Sequence, residues 1–171
     1  STTTIAGPIN IYGGALAINA PLTATNNTVN LFASGAVTQT GAITANSLGL
    51  NGTGTFTLTN SANNFVTVAG GNTTTKLSSL SLTDASGGLT IGIVGSESGI
   101  TASGIISVET LSGDLTLSEN ISTTNTTSNA IILNAGKSSA IGTTTGGDIL
   151  VTGTPTITVG TGGTAKLFSG S

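Results

Sequence analysis

The chain contains no cysteine, histidine, methionine or tryptophan, and its three basic residues are all lysine, so arginine is absent too. Each absence removes a class of chemistry. Without histidine there is no Ser-His-Asp triad, no imidazole base and no imidazole metal ligand. Without cysteine there is no thiolate nucleophile, disulfide, structural zinc or iron–sulfur site. Lys76, Lys137 and Lys166 are too few and too scattered for an electrostatic footprint on nucleic acid or anionic lipid. They are read instead as charged gatekeepers near strand ends. One tyrosine and four phenylalanines leave little for aromatic sugar platforms. No apolar run approaches the roughly 18 residues of a membrane-spanning helix.

What is present is small, polar and β-branched. Of 171 residues, 35 are Thr, 20 Ser and 15 Asn, together with 26 Gly. Only 5% of residues are charged, net charge is −3, and 36% are apolar with a mean hydropathy of +0.37. Disordered chains pair low hydrophobicity with high net charge, and this chain has neither. Helix formers such as Glu, Lys and Gln are scarce while Thr, Val and Ile abound, so strand is favoured throughout. The length fits one domain. The chain opens on Ser1-Thr2-Thr3-Thr4 with no basic leader, so it is read as a mature or excised segment of a longer secreted protein.

A short apolar-x-apolar triplet recurs along the sequence. It starts at Ile9, Val29, Leu48, Val66, Leu80, Ile106, Ile131, Ile149 and Ala165, at uneven intervals. Further period-2 pieces lie between, such as Leu16-Ala17-Ile18, Phe56-Thr57-Leu58 and Leu115-Thr116-Leu117. Each buries one face only. Gly- and Asn-rich turns separate them, among them Tyr12-Gly13-Gly14, Asn51-Gly52, Ser86-Gly87-Gly88 and Gly146-Gly147-Asp148. A β-sandwich or up-and-down barrel would want regular hairpins and longer strands. The spacing therefore predicts an all-β, right-handed parallel β-helix of about eight coils of roughly 20 residues. It is expected to form a single segment over residues 1–171. Leu31, Leu50, Val68, Leu82, Val108, Leu133, Val151 and Leu167 would form one inward column, with Asn30, Ser81 and Ser107 facing water. Residues 1 to 8, whose one large apolar side chain is Ile5, offer no cap for the first coil, and Phe168-Ser169-Gly170-Ser171 follows directly on a strand triplet. Coil-on-coil stacking is expected at both ends, with the rest of a longer chain or with identical subunits.

Residues 9 to 70 read INIYGGALAINAPLTATNNTVNLFASGAVTQTGAITANSLGLNGTGTFTLTNSANNFVTVAG. The phrases LxINAPLTATxNTVNL, SGAVTQTGAITANSLGL and LTNSANNFVTVAG resemble the repeat region of filamentous-haemagglutinin-like exoproteins, the large secreted adhesins of Gram-negative bacteria. Residues 71 to 171 share the composition and the GxLTL-type strand pieces. The resemblance implies a right-handed parallel β-helix, export across the outer membrane, an extracellular location at the cell surface, and work as an adhesin or filament shaft. It says little about ligand; host or surface glycans are a further partner considered.

Acid–base chemistry could rest only on Asp84, Glu97, Glu109, Asp114, Glu119 and Asp148. Glu109 with Asp114, or Glu119 with Asp84, could meet on neighbouring coils as a glycosidase or lyase pair. Polysaccharide-degrading β-helices usually add basic or aromatic sugar contacts that are scarce here. The default reading of all six is solvated turn residues that keep the surface soluble. Calcium would need several converging oxygens, and no DxDxDG or GGxGxDxU loop occurs. Thr-x-Thr pairs at Thr23/Thr25, Thr38/Thr40, Thr53/Thr55/Thr57/Thr59 and Thr152/Thr154/Thr156/Thr158 suggest an ice-binding lattice, but they start at unequal offsets within their coils. Five glycosylation sequons begin at Asn26, Asn51, Asn72, Asn120 and Asn125. The expected function is structural or adhesive: a rigid extracellular spacer, not an enzyme. No catalytic, cofactor-binding or metal-binding residue is assigned and no cofactor is expected. The alternatives are a glycan- or ice-binding β-helix and, behind these, a polysaccharide-degrading enzyme.

Overall fold

A computed structural model describes residues 7–85, 87–140 and 142–170. In chain order the first strands are β1 (Ile9–Gly13), β2 (Leu16–Ile18), β3 (Leu22–Ala33), β4 (Ala36–Gln39), β5 (Ile43–Asn51), β6 (Thr55–Leu58) and β7 (Asn64–Gly70). Next come β8 (Ser79–Asp84), β9 (Leu89–Ile91), β10 (Ile93–Val94), β11 (Glu97–Ser98), β12 (Ile100–Ala102) and β13 (Ile106–Thr110). The last are β14 (Leu115–Leu117), β15 (Ile121–Thr123), β16 (Ile131–Ala135), β17 (Ile149–Val151), β18 (Ile157–Thr158) and β19 (Ala165–Ser169). No described residue lies in a helix, so none is long and apolar enough to cross a membrane as one.

The strands wind into a parallel β-solenoid. One face is a seven-stranded sheet in the order β19-β16-β13-β8-β6-β4-β2, and a ten-stranded sheet makes the rest of the wall. Each side chain stands above its partner one coil down. Leu16, Val37, Phe56, Leu80, Ile106, Ile131 and Ala165 form one unbroken inward column. Opposite runs a second, Ile9, Val29, Leu48, Val68, Ile91, Leu117 and Val151. A third contains Ile11, Leu31, Leu50, Gly70, Ile100, Ile121 and Ile157. The columns meet in one core of Leu, Ile, Val and Ala, with Phe56 and Phe65 as its largest side chains.

Two expectations need correction. The solenoid has fewer coils than the eight expected. Coil length is uneven along the seven-stranded sheet. The register steps from Leu16 to Val37 and from Val37 to Phe56 are short, and those from Phe56 to Leu80, Ile106 and Ile131 are longer. The step from Ile131 to Ala165 is longer still. The triplets at Val29, Leu48 and Val66 lie on one wall and those at Leu80, Ile106 and Ile131 on another. The close spacings from Val66 to Leu80, from Ile131 to Ile149 and from Ile149 to Ala165 are therefore part-coils counted as whole ones.

The single inward column is also split. Leu31 and Leu50 stand in the third column, Val68 and Val151 in the second. Leu82, Val108, Leu133 and Leu167 form a further one on the seven-stranded sheet. Val151 and Leu167 are 64% and 47% exposed, because no described strand pairs above them. Period 2 correctly turns every one of these residues inward, but period 2 cannot tell which wall of a coil a strand belongs to. Asn30, Ser81 and Ser107 do face outward and are partly exposed. The reading of residues 1 to 8 as capless rests on Ile5 and its neighbours at 1–6, which lie outside the described residues, as do Ser86, Ile141 and Ser171.

Two irregularities mark the wall. Between Ala24 and Thr28 the register of β3 against β5 shifts, and Asn26 at this bulge takes a φ of +63°. Between β9 and β12 the wall strand is interrupted by a hairpin, β10 against β11, the one antiparallel pair among the described strands. Gly99 donates its N–H to the Gly92 carbonyl at 2.8 Å and closes the hairpin's base. Gly95 turns it with a φ of +61°, the position that a type II′ turn gives to glycine.

Candidate functional site

The six carboxylates are dispersed, each with its own partners. Glu109 on β13 accepts from the Lys137 ammonium at 2.8 Å and from the Thr83 hydroxyl at 2.9 Å. Asp114, in the turn before β14, accepts the Asp148 backbone N–H at 3.0 Å. The fold thus brings Asp114 beside Asp148, one coil on, rather than pairing it with Glu109. Glu119 accepts from the Ser98 hydroxyl at 2.7 Å. Glu97 is buried in the hairpin and accepts from the Asn72 amide at 3.2 Å. These are cross-coil braces. Among the described residues, no group of three or more carboxylates is placed to hold a metal ion.

Asp84 is not the solvated turn residue expected of it. It ends β8 on the same face as Leu80 and Leu82 and is fully buried. Its Oδ1 accepts the Phe65 N–H at 2.8 Å, and its Oδ2 has no hydrogen-bond partner among the described residues. Burial pushes its pKa up from the ordinary carboxylate value to about 7, against the opposing pull of the Phe65 N–H. The missed signal lay in the alternation Leu80-x-Leu82-x-Asp84.

The outer surface carries ladders of small polar groups. On the seven-stranded face Ala17, Thr38, Thr57, Ser81 and Ser107 stand one above another, followed by Ile132 and Lys166. Only one Thr-x-Thr pair, Thr55/Thr57, sits fully on this face, with Ala36/Thr38 below and Ser79/Ser81 above. That is not the repeating two-threonine rank an ice lattice needs. On the other wall the Asn30 amide donates to Asn10 at 2.8 Å, and Tyr12 stacks on Phe32 with ring centroids 4.4 Å apart. Of the sequon asparagines, Asn72, Asn120 and Asn125 are engaged by their own or neighbouring coils, while Asn26 is exposed at its bulge.

Concavities are of two kinds. A polar groove of about 410 Å³ lies beside the hairpin, lined by Asn72, Ser98, Thr101, Ser122 and Thr158 among others. Its hydroxyls fit a neutral polar ligand better than an ion. An apolar groove of about 310 Å³ lies at the amino-terminal end, lined by Ile11, Leu16, Ile18 and Leu22. At the other end no described residue after Gly147 is buried, and Leu150, Val151, Leu167 and Phe168 are all exposed.

No family model, curated protein or solved structure matches the chain. The likeness to filamentous-haemagglutinin-like repeats therefore rests on the sequence phrases alone.

Proposed function

We propose that this chain is a structural segment: a stretch of rigid β-solenoid shaft in an extracellular adhesin or filament at a bacterial surface. One observation carries the reading. The inward columns run to the last rung in register and then stop uncovered: Leu117 and Leu133 are buried, while their partners Val151 and Leu167 are not. Among the described residues β17, β18 and β19 each pair on one side only, so their free edges can take a further parallel strand. Such an end seats another coil, from the same polypeptide or from a second copy. The phrases in residues 9 to 70 add the surface location and the adhesive setting. The dispersed carboxylates, each tied to a structural partner, favour a scaffold over a hydrolase.

The polar groove beside the hairpin favours a second reading, in which the same solenoid binds glycans. A glycan array and a panel of polysaccharide substrates separate the three classes. A shaft segment gives neither saturable binding nor turnover. Saturable binding lost on Thr101→Val with Ser122→Ala favours the glycan reading. Turnover lost on Glu109→Gln or Asp114→Asn overturns the structural one.

A further inference from the structure

Asn63 and Asp84 occupy the same corner of the solenoid on successive coils. The Asn63 side-chain carbonyl accepts the N–H of Ile43, one coil back, at 2.9 Å. Asp84 Oδ1 accepts the N–H of Phe65, likewise one coil back, at 2.8 Å. The Ala85 N–H also donates to the Asn63 backbone carbonyl at 2.8 Å, which stacks the two corners directly. Both side chains are fully buried. Here the likeness ends. The Asn63 amide nitrogen donates to the Leu58 and Thr83 carbonyls and to Gln39, so every atom of its head is used. The matching atom of Asp84, Oδ2, has no hydrogen-bond partner among the described residues. A carboxylate there can only accept; a protonated oxygen becomes a donor, as the amide nitrogen is.

We infer that the folded solenoid carries Asp84 as a neutral carboxylic acid in an asparagine-like corner, and that its ionisation loosens this joint between coils. The joint is a distinct place in the rod. The coil steps before it, Leu16 to Val37 to Phe56, are shorter than those from it onward, Phe56 to Leu80 to Ile106 to Ile131. Among the described residues, no cation is paired with Asp84: the one ion pair is Lys137 with Glu109. β6 and β7, packed against this corner, contain no ionisable residue. On β13, Glu109 pairs in register with Thr83, the residue before Asp84, and is engaged on the outer side by Thr83 and Lys137. In the turn beyond, Asp114 is bound to the Asp148 N–H and would add only like charge. An unpaired buried anion is costly, so the neutral form is the one the core tolerates.

The pH dependence has a defined sign. The folded value of about 7 lies above the ordinary 3.8, so between these the folded chain keeps a proton that the unfolded chain releases. The contribution to stability is complete below about pH 4, declines as pH rises, and is gone above about pH 7. The test is urea unfolding of the chain and its Asp84→Asn variant from about pH 4.5 to 8.5, with an NMR titration of the Asp84 carboxyl carbon. The expected result is an unfolding constant that rises at least about tenfold for the wild type relative to the variant across this range. Asp84→Asn should equal or exceed the wild type in stability at about pH 8. Identical pH profiles for the two proteins overturn the inference. Should the variant fail to fold, the wild-type titration decides: a midpoint well above 4 supports it, and a midpoint in the ordinary carboxylate range overturns it.

Discussion

Leu133 and Leu167 are register partners in one inward column, yet the first is fully buried and the second 47% exposed. The same substitution should therefore have unequal effects. Leu133→Ala removes packed methyl groups inside a closed coil and should cost about 2–5 kcal/mol. Leu167→Ala removes surface that water already reaches and should cost about 1 kcal/mol or less. Urea midpoints of the two variants check this. Leu133→Asp, which would bury an unpaired charge, should unfold the chain outright. Gly99 is a second sensitive residue. Its φ is +68°, and a side chain there would strike the Asn120 carbonyl of the next coil. Gly99→Ala should destabilise by about 1–3 kcal/mol, read the same way. At this scale the sequence is informative about inward and outward, through period 2. It is silent on depth, because burial of Leu167 depends on whether another coil lies above it.

The elements show a similar division. Triplets, turns and parallel winding are legible in the alternation and the Gly-Asn punctuation, but assignment to walls is not. The register step from Ile131 to Ala165 is nearly twice that from Val37 to Phe56, so no fixed period exists to phase against and part-coils read as coils. The hairpin of β10 and β11 escapes a sequence reading because its strands are two residues each. Gly95 followed by a polar residue between short β-prone pieces is the available hint. The hairpin folds over the outside of the wall, where Val94 lies against Gly49 and is nearly buried. Gly92 and Gly99 already meet at its base. Replacing residues 93–98 with a short glycine link should keep the solenoid folded and cost about 1–3 kcal/mol, mainly through the loss of Val94 packing. Circular dichroism and a denaturant titration read both quantities. A collapse of the whole β signal would show that the hairpin organises the wall rather than decorating it.

For the whole molecule, strength comes from repetition. Each inner coil contacts its neighbours above and below, backbone ladders run along the axis, and small polar ladders such as Asn10–Asn30 add to them outside. Stability of this kind grows with each coil added, which suits a shaft and explains how a chain without cysteine and with few aromatics can be rigid. It also makes the ends the chemically active places, since that is where pairing groups and apolar side chains face water. The most direct measurement is therefore of end-to-end association: sedimentation velocity with electron microscopy over rising concentration, on the chain and on a Val151→Lys, Leu167→Lys variant. The account predicts rods that lengthen in steps as concentration rises, and a variant that stays folded but no longer elongates. A chain that remains a single short particle at every concentration would contradict it.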